Sequence, residues 1–178
     1  MNKRKSVSIY CYNEVLYYIP VGRCSRLGVE QFDMAKDPSR HASDRKKGEV
    51  LIEVLDQSGR ECIAPGFNVS ASFKADEFYR SVKPFLLLSK AKSWHTFTGH
   101  ALSLSVDINM ENSMLKFTPC LYERGGFLGI REAIFEIPID SPLEEIGKAI
   151  GRALSLCIGK GGKRLEDFVA KNKELPSS

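Results

Sequence analysis

Few residues in this sequence could carry out covalent chemistry, and they are scattered. The chain holds 3 histidines and 5 cysteines, whereas a nucleophilic site needs a thiol or hydroxyl beside a base that a third group orients. Cys120 and His100 could meet across the predicted antiparallel strands, but no signature of a cysteine enzyme surrounds them. We therefore interpret Cys120 as a packing residue and predict that the chain is not an enzyme.

The sequence also predicts no metal site and no cofactor. His95 and His100 lie five residues apart, and no second pair of ligands stands at a zinc-like spacing. The adjacent acids Glu144 and Glu145 lie at the predicted start of a helix, where carboxylates interact favourably with the helix dipole. The 5 cysteines form no CxxC pair, which favours free thiols in a reducing cytoplasm over disulfides.

A glycine-rich basic loop follows the last predicted helix. The loop Gly159-Lys160-Gly161-Gly162 lacks the first glycine and the final Ser/Thr of a Walker phosphate-binding loop. It resembles the IGxxGxxI loop of KH RNA-binding domains, which implies phosphate binding by Lys160, Lys163 and Arg164. A KH domain needs a helix and a strand after this loop, however, and only a short segment follows here. The alternative is a helix end followed by a solvated basic loop.

Charge is unevenly distributed along the chain. The net charge is +4, and basic residues cluster at 3–5, 40–47 and 160–164. Residues 101–145, in contrast, hold eight acidic residues and three basic ones. An acidic sheet on an otherwise basic chain could steer a basic protein partner toward the sheet. The alternative interpretation is that these are ordinary solvated surfaces.

The first half of the chain predicts short elements of mixed type. We predict a mobile loop near residues 38–48, and a kink or break at Pro84 within a helix. Trp94, the only tryptophan, is either a core residue, which we favour, or an exposed anchor. The predicted bounds are Val7–Tyr12 and Val15–Ile19 for a hairpin, Val29–Lys36 for a short helix, Val50–Leu55 and Phe67–Phe73 for strands, and Asp76–Ser89 for the longer helix.

The second half predicts a three-stranded antiparallel meander. Apolar and polar residues alternate in Ala101–Met110, Leu115–Tyr122 and Glu132–Ile139, and short turns separate them. Pro119 has no N–H for the ladder, so its strand should be a sheet edge or carry a bulge. Such an edge either accepts a partner's strand or is simply protected.

The helix that organises the fold is predicted from Ser141 to Gly159. Ser141 is the predicted N-cap, Glu144 completes a capping box, and Gly159 provides a left-handed stop. One apolar stripe must pack on the sheet: Leu143, Ile146, Ala149, Ile150, Ala153, Leu154 and Cys157. The sequence therefore predicts a single α+β domain over residues 1–178, with a twisted, mainly antiparallel sheet, this amphipathic helix and a flexible C-terminal tail.

Residues 86–157 resemble the C-terminal half of the immunity proteins of contact-dependent growth inhibition systems (CdiI). The resemblance lies in four segments: Ala91–Thr98, Ala101–Leu104, Gly125–Ile130 and Ile139–Ile150. It implies a protein without catalytic residues that binds and neutralises the toxic C-terminal domain of a cognate CdiA protein, often a nuclease. Some members of the family accept a toxin β-hairpin at a sheet edge, in agreement with the edge predicted at Pro119. Nuclease inhibitors are often strongly acidic, whereas this chain is net basic.

The leading hypothesis is a cytoplasmic immunity protein that occludes a CdiA toxin domain in a one-to-one complex. RNA binding through the KH-like loop is the second hypothesis, and an enzymatic function has no specific support. No apolar run is long enough to cross a membrane. The predicted partner-binding residues are the acids expected to project from the polar face and turns of the meander: Asp107, Glu111, Glu123 and Glu136.

Overall fold

One antiparallel sheet forms the centre of the fold. The computed structural model describes residues 5–24, 27–30, 36, 42–59, 75–109 and 111–164. Within these ranges the sheet contains seven strands: β1 (Ser6–Tyr12), β2 (Val15–Cys24), β3 (Leu27–Glu30), β4 (Leu102–Asn109), β5 (Met114–Glu123), β6 (Gly126–Gly129) and β7 (Phe135–Pro138). Their order across the sheet is β3-β2-β1-β4-β5-β6, and β7 also pairs with β5.

Helices cover both faces of this sheet. In the same ranges there are four α-helices: α1 (Asp44–Gln57), α2 (Ala75–Ser89), α3 (Trp94–His100) and α4 (Leu143–Leu156). Helices α1 and α4 pack on one face, while α2 and α3 pack on the other. The predicted fold class, a single α+β domain with an antiparallel sheet, is confirmed. None of the described helices has the length and apolar character needed to span a bilayer.

The predicted N-terminal hairpin is also confirmed. Strands β1 and β2 pair in antiparallel register up to Tyr12 and Val15. Asn13 and Glu14 between them have φ values of 49° and 63°. Two positive φ values in a two-residue loop are typical of a type I′ turn, whose twist matches that of the flanking strands.

The meander is present, but β5 is not an edge strand. It pairs with β4 on one side, and on the other side with β7 over Met114–Phe117 and with β6 over Cys120–Glu123. Pro119 lies at the break between β6 and β7, where its carbonyl accepts a hydrogen bond from the Ile130 N–H (2.8 Å). The N–H that proline lacks would point into this break, so no ladder bond is lost. The predicted edge at Pro119 is therefore wrong.

Helix α1 occupies a region that was expected to contain a loop and a strand. The predicted strand Val50–Leu55 is helical, and the predicted loop near 38–48 is helical from Asp44 onward; residues 38–41 lie outside the described residues. The Ser43 hydroxyl caps the helix by accepting the Lys46 N–H (3.2 Å). The apolar run in Val50–Leu55 is short, and periodicity alone does not distinguish a buried strand from a buried helical segment of this length.

The other predictions for the first half and the C-terminal tail have mixed outcomes. The predicted helix Val29–Lys36 is wrong at its start, because residues 29 and 30 belong to β3. The predicted helix Asp76–Ser89 is confirmed as α2, which runs through Pro84 without a break. The predicted strand Phe67–Phe73 and the C-terminal tail lie outside the part of the chain that the structure describes.

Helix α4 carries the predicted apolar stripe, whereas both of its predicted ends are wrong. Pro142 is the N-cap and no side chain caps the helix, so Ser141 and Glu144 form no capping box. The helix ends at Leu156, and Gly159 has a φ of −80°. The chain becomes extended there because Ile158 pairs with β5: its N–H donates to Cys120 O (3.0 Å), and its carbonyl accepts from Tyr122 N (2.8 Å).

The backbones of α1 and α4 touch at two glycines. A Cβ added to Gly48 would overlap the Leu143 carbonyl, and a Cβ added to Gly147 would overlap the Asp44 carbonyl. A glycine within a helix is unfavourable by about 1 kcal/mol relative to alanine. Both glycines are therefore explained by packing, because only a residue without a side chain lets the two helices approach so closely.

The other face of the sheet carries a cluster of aromatic rings at its centre. Phe97 of α3 is fully buried, and its ring centroid lies 4.8 Å from that of Phe85, 4.9 Å from Tyr12 and 5.4 Å from Tyr10. Trp94 stacks on Phe97 with the ring centroids 5.5 Å apart. The interpretation of Trp94 as a core residue is confirmed, since it packs against this cluster.

Candidate protein-interaction surface

Two of the predicted contact residues, Asp107 and Glu136, project to one side of the sheet, but Asp107 is buried. The cross-strand register places Asp107 of β4 opposite Lys116 of β5, and Lys116 opposite Glu136 of β7. Glu136 is exposed, whereas Asp107 is only 7% exposed and has an interaction partner. The expectation that Asp107 projects into solvent is therefore wrong. Apolar and polar alternation predicts the side of a sheet that a residue faces, and does not predict what covers that side.

Glu111 and Glu136 lie at the same end of the meander. Asn112, in the turn between β4 and β5, donates its side-chain N–H to Glu136 Oε2 (3.4 Å). The Ile139 N–H donates to the Ser113 carbonyl (3.0 Å), which holds the segment after β7 against this turn. The exposed acids gathered here, which we call the acidic end, are Glu111, Glu136, Asp140, Glu144 and Glu145.

Some acids of the acidic end form ion pairs, and the basic residues of α1 near it form ion pairs within their own helix. Lys148 lies 3.3 Å from Glu144 and 2.9 Å from Glu145, so these two acids are partly neutralised. The basic residues in the first turn of α1 pair within that helix, to Asp44 and Glu49. The remaining exposed acids of this end are Glu111, Glu136 and Asp140; Lys116 lies opposite Glu136 across the strands, and Glu111 has an interaction of its own.

Glu123 is far from the acidic end. It is the last residue of β5, at the opposite end from the turn that holds Glu111. At about 3.3 Å per residue, the ten residues of β5 separate the two ends by roughly 30 Å. Glu123 is exposed, but it belongs to the β5–β6 hairpin. The four predicted acids therefore do not form one surface, and the contact role of the three exposed ones stays a prediction.

The basic loop after α4 does not have the geometry of a KH domain in the part that is described. Lys160–Gly162 form a single 3-10 turn, and Lys163 after it is extended. Gly161 and Gly162 have φ values of 75°. A KH loop joins two helices, whereas this loop follows a segment that pairs with β5. Lys160, Lys163 and Arg164 are exposed, and no observation supports RNA binding by them.

The thiols of Cys11 and Cys157 are unsuited to nucleophilic chemistry. Cys11, Cys120 and Cys157 form no disulfide among the described residues. Burial raises the pKa of Cys157 to about 12, and burial together with the nearby Glu14 charge raises the pKa of Cys11 to about 11. Both thiols are therefore protonated near neutral pH, and only the thiolate is strongly nucleophilic. The ranges that the structure describes contain no group of three metal-ligating side chains.

One buried hydroxyl stands out in the core between the sheet and α1. The Tyr18 side chain is fully buried, and its hydroxyl has no hydrogen-bond partner among the described residues. Burial, with a further contribution from Cys11, raises the pKa of Tyr18 above its usual range. An unsatisfied buried polar group opposes folding, because its hydrogen bonds to water are lost and not replaced.

Removing this hydroxyl should stabilise the protein. We expect Tyr18→Phe to raise the free energy of unfolding by about 1 kcal/mol, measured by urea denaturation. The control is Ser58→Ala, because the buried Ser58 hydroxyl donates to Leu55 O (2.8 Å) and accepts from the Ser6 N–H (3.1 Å). This variant should lose about 1–3 kcal/mol. A loss of stability in Tyr18→Phe would show that the hydroxyl has a partner.

Comparison with known proteins shows a shared fold. No family model matches the chain, and no curated protein matches it. A solved structure of a protein of unknown function, NMB0488 from Neisseria meningitidis, is 14% identical with a TM-score of 0.70, over 88% of this chain and 98% of that one. A chain of the CdiA-CT/CdiI toxin and immunity complex from Yersinia pseudotuberculosis is 17% identical with a TM-score of 0.62, over 88% of this chain and 98% of that one.

Proposed function

We propose that this chain is an immunity protein of a contact-dependent growth inhibition system, which binds and neutralises the C-terminal toxin domain of a cognate CdiA protein in the cytoplasm. The observation that carries the proposal is the fold that this chain shares, over 88% of its length, with a chain of a toxin and immunity complex. The protein would act by occluding the toxin, so it requires no catalytic residues of its own.

The acidic end is the surface that we assign to the toxin. A toxin domain that acts on nucleic acid needs a basic surface to hold phosphates, and such a surface is complementary to a cluster of exposed carboxylates. Glu111, Glu136 and Asp140 are exposed on one end of a rigid sheet. Charges in this arrangement mainly accelerate the encounter of the two proteins and fix its orientation.

Reversing charge at the acidic end should slow toxin binding. We expect Glu111→Lys/Glu136→Lys to reduce the association rate by about 10- to 100-fold at low salt, with a smaller effect at high salt. The ligand is the toxin domain encoded beside this chain, and the rate is measured by stopped-flow fluorescence. The matched control is Glu53→Lys/Asp56→Lys, which reverses two exposed acids on α1 that pair with Lys36 and Lys5.

The outcomes separate the function from the surface. If the wild-type chain neither co-elutes with the toxin domain nor protects cells from it, the immunity function is wrong. If wild type binds and the acidic-end variant associates as fast as wild type does, the immunity function stands and the assigned surface is wrong. Equal slowing by the α1 control would show that net charge, and not this surface, sets the rate.

A further inference from the structure

Strand β6 presents an outer edge that pairs with no other strand among the described residues. It pairs with β5 through Tyr122–Phe127 and Cys120–Gly129. Tyr122 N–H and the Cys120 carbonyl bond to Ile158, on the side of β5 away from β6. Tyr122–Phe127 and Cys120–Gly129 are therefore the non-hydrogen-bonded pairs of this ladder, in which hydrogen-bonded and non-hydrogen-bonded pairs alternate. In such a pair both residues direct their N–H and C=O groups away from each other, so those of Phe127 and Gly129 point away from β5. In the described ranges no strand lies beyond β6.

The spacing of these groups is self-complementary. A second copy of β6, antiparallel to the first and related by a two-fold axis at Leu128, would place Phe127 opposite Gly129 of the other copy. Each such pair exchanges two hydrogen bonds, and symmetry repeats it, so the two edges satisfy four hydrogen bonds. Leu128 would then face Leu128 across the axis as a non-hydrogen-bonded pair, where side chains of neighbouring strands are closest.

Side chains around the axis favour the same arrangement. Leu128 is 55% exposed, and burying it against its symmetry mate removes apolar surface from water. Antiparallel pairing also brings the turn before β6, which holds Arg124, to the same end as the 3-10 turn after β6 of the other copy, which holds Glu132; both residues are exposed. Gly125, in the turn before β6, has no side chain, and no described atom lies within 4 Å of the position that a Cβ would take.

The neighbouring edge of β7 is protected, in contrast to that of β6. Strand β7 ends in Pro138, which has no N–H to offer, and it carries the exposed Glu136. Proline and charge are the usual means by which proteins protect sheet edges against pairing. Strand β6 has the sequence Gly-Phe-Leu-Gly and contains neither. The 3-10 turn Arg131–Ala133 separates the two strands and limits pairing to β6.

We infer that this chain associates with a second copy of itself by antiparallel pairing of the outer edges of β6 about Leu128. A four-residue edge buries less than the ~1,200 Å² of a standard interface, so the association is weak and reversible. The inference does not rest on toxin binding, because the acidic end lies at the opposite end of β5.

Sedimentation velocity of the full chain tests the inference. The wild-type sedimentation coefficient should rise with protein concentration toward that of a dimer, up to about 1 mM. Leu128→Asp should remove this rise, because it sets two carboxylates against each other on the axis. The matched control is Leu87→Asp, which changes an exposed leucine (73%) on α2 and should dimerise as wild type does. Circular dichroism confirms that each variant is folded.

A charge swap tests the antiparallel orientation of the two edges. Arg124→Glu and Glu132→Arg should each weaken the dimer by about tenfold, because each brings like charges together. The double variant Arg124→Glu/Glu132→Arg restores opposite charges and should recover wild-type association. A chain that stays monomeric at about 1 mM, a dimer that survives Leu128→Asp, or a double variant that fails to recover would each overturn the inference. If the wild-type chain is monomeric and Leu128→Asp abolishes toxin binding, the inference is also wrong, and the edge of β6 is assigned to the toxin.

Discussion

Gly147→Ala is expected to lower the free energy of unfolding by about 3 kcal/mol or more, which is at the upper end for an overpacked core. The added methyl group would overlap the Asp44 carbonyl of α1. Because this obstacle is backbone, no change of side-chain rotamer relieves the overlap, and α1 and α4 must separate. Urea denaturation monitored by far-UV circular dichroism measures the effect.

The same helix provides a matched control. Gly151 has nothing within 4 Å of the position that a Cβ would take. We therefore expect Gly151→Ala to raise the free energy of unfolding by up to about 1 kcal/mol, as alanine is the better helix former. If both substitutions in α4 stabilise the protein, the two helices are not in backbone contact at Gly147 and the described packing is incorrect.

Phe97→Ala should have an effect of similar size on the opposite face of the sheet. The fully buried Phe97 ring touches rings from β1, α2 and α3, so its removal leaves a cavity bounded by Tyr10, Tyr12, Phe85 and Trp94. Replacing a buried phenylalanine with alanine typically costs about 3–5 kcal/mol. Urea denaturation measures the loss, and near-UV circular dichroism reports whether the remaining rings stay ordered.

Two further variants serve as controls for this prediction. Phe97→Leu keeps most of the volume and should cost less than Phe97→Ala. Leu87→Ala removes a leucine that is 73% exposed and should change stability by no more than about 0.5 kcal/mol. A loss below about 1 kcal/mol in Phe97→Ala would contradict the central position of this ring, since surface substitutions have effects of that size.

Residue patterns predicted the parts of the fold in which a strong period and a long element coincide. The α4 stripe and the alternating strands β4 and β5 are of this kind, because burial of one face imposes the period on the sequence. The ends of α4 were not predictable in the same way. The helix stops where Ile158 pairs with β5, and this long-range contact prevails over the local signal of Gly159.

Short or atypical segments account for the remaining errors. Strand β6 contains two glycines in four residues, and it therefore shows no alternation although it is paired. Pro119 is interpreted from the sequence as marking a sheet edge or a bulge, whereas it lies opposite the break between two neighbouring strands, β6 and β7. Of the predicted contact acids, Asp107 failed because its burial depends on tertiary packing, which a pattern within one strand does not report.

Both ends of α4 are tied to β5. The segment before the helix bonds to the turn that precedes β5, through Ile139 and Ser113, and the segment after it bonds to Cys120 and Tyr122. The fourteen-residue helix is about 21 Å long, close to the span of strand between the two attachments. Helix α4 therefore cannot separate from the sheet independently of β5. It has to open together with β5, and amide protons in the two elements should exchange with solvent as one slow, cooperative unit.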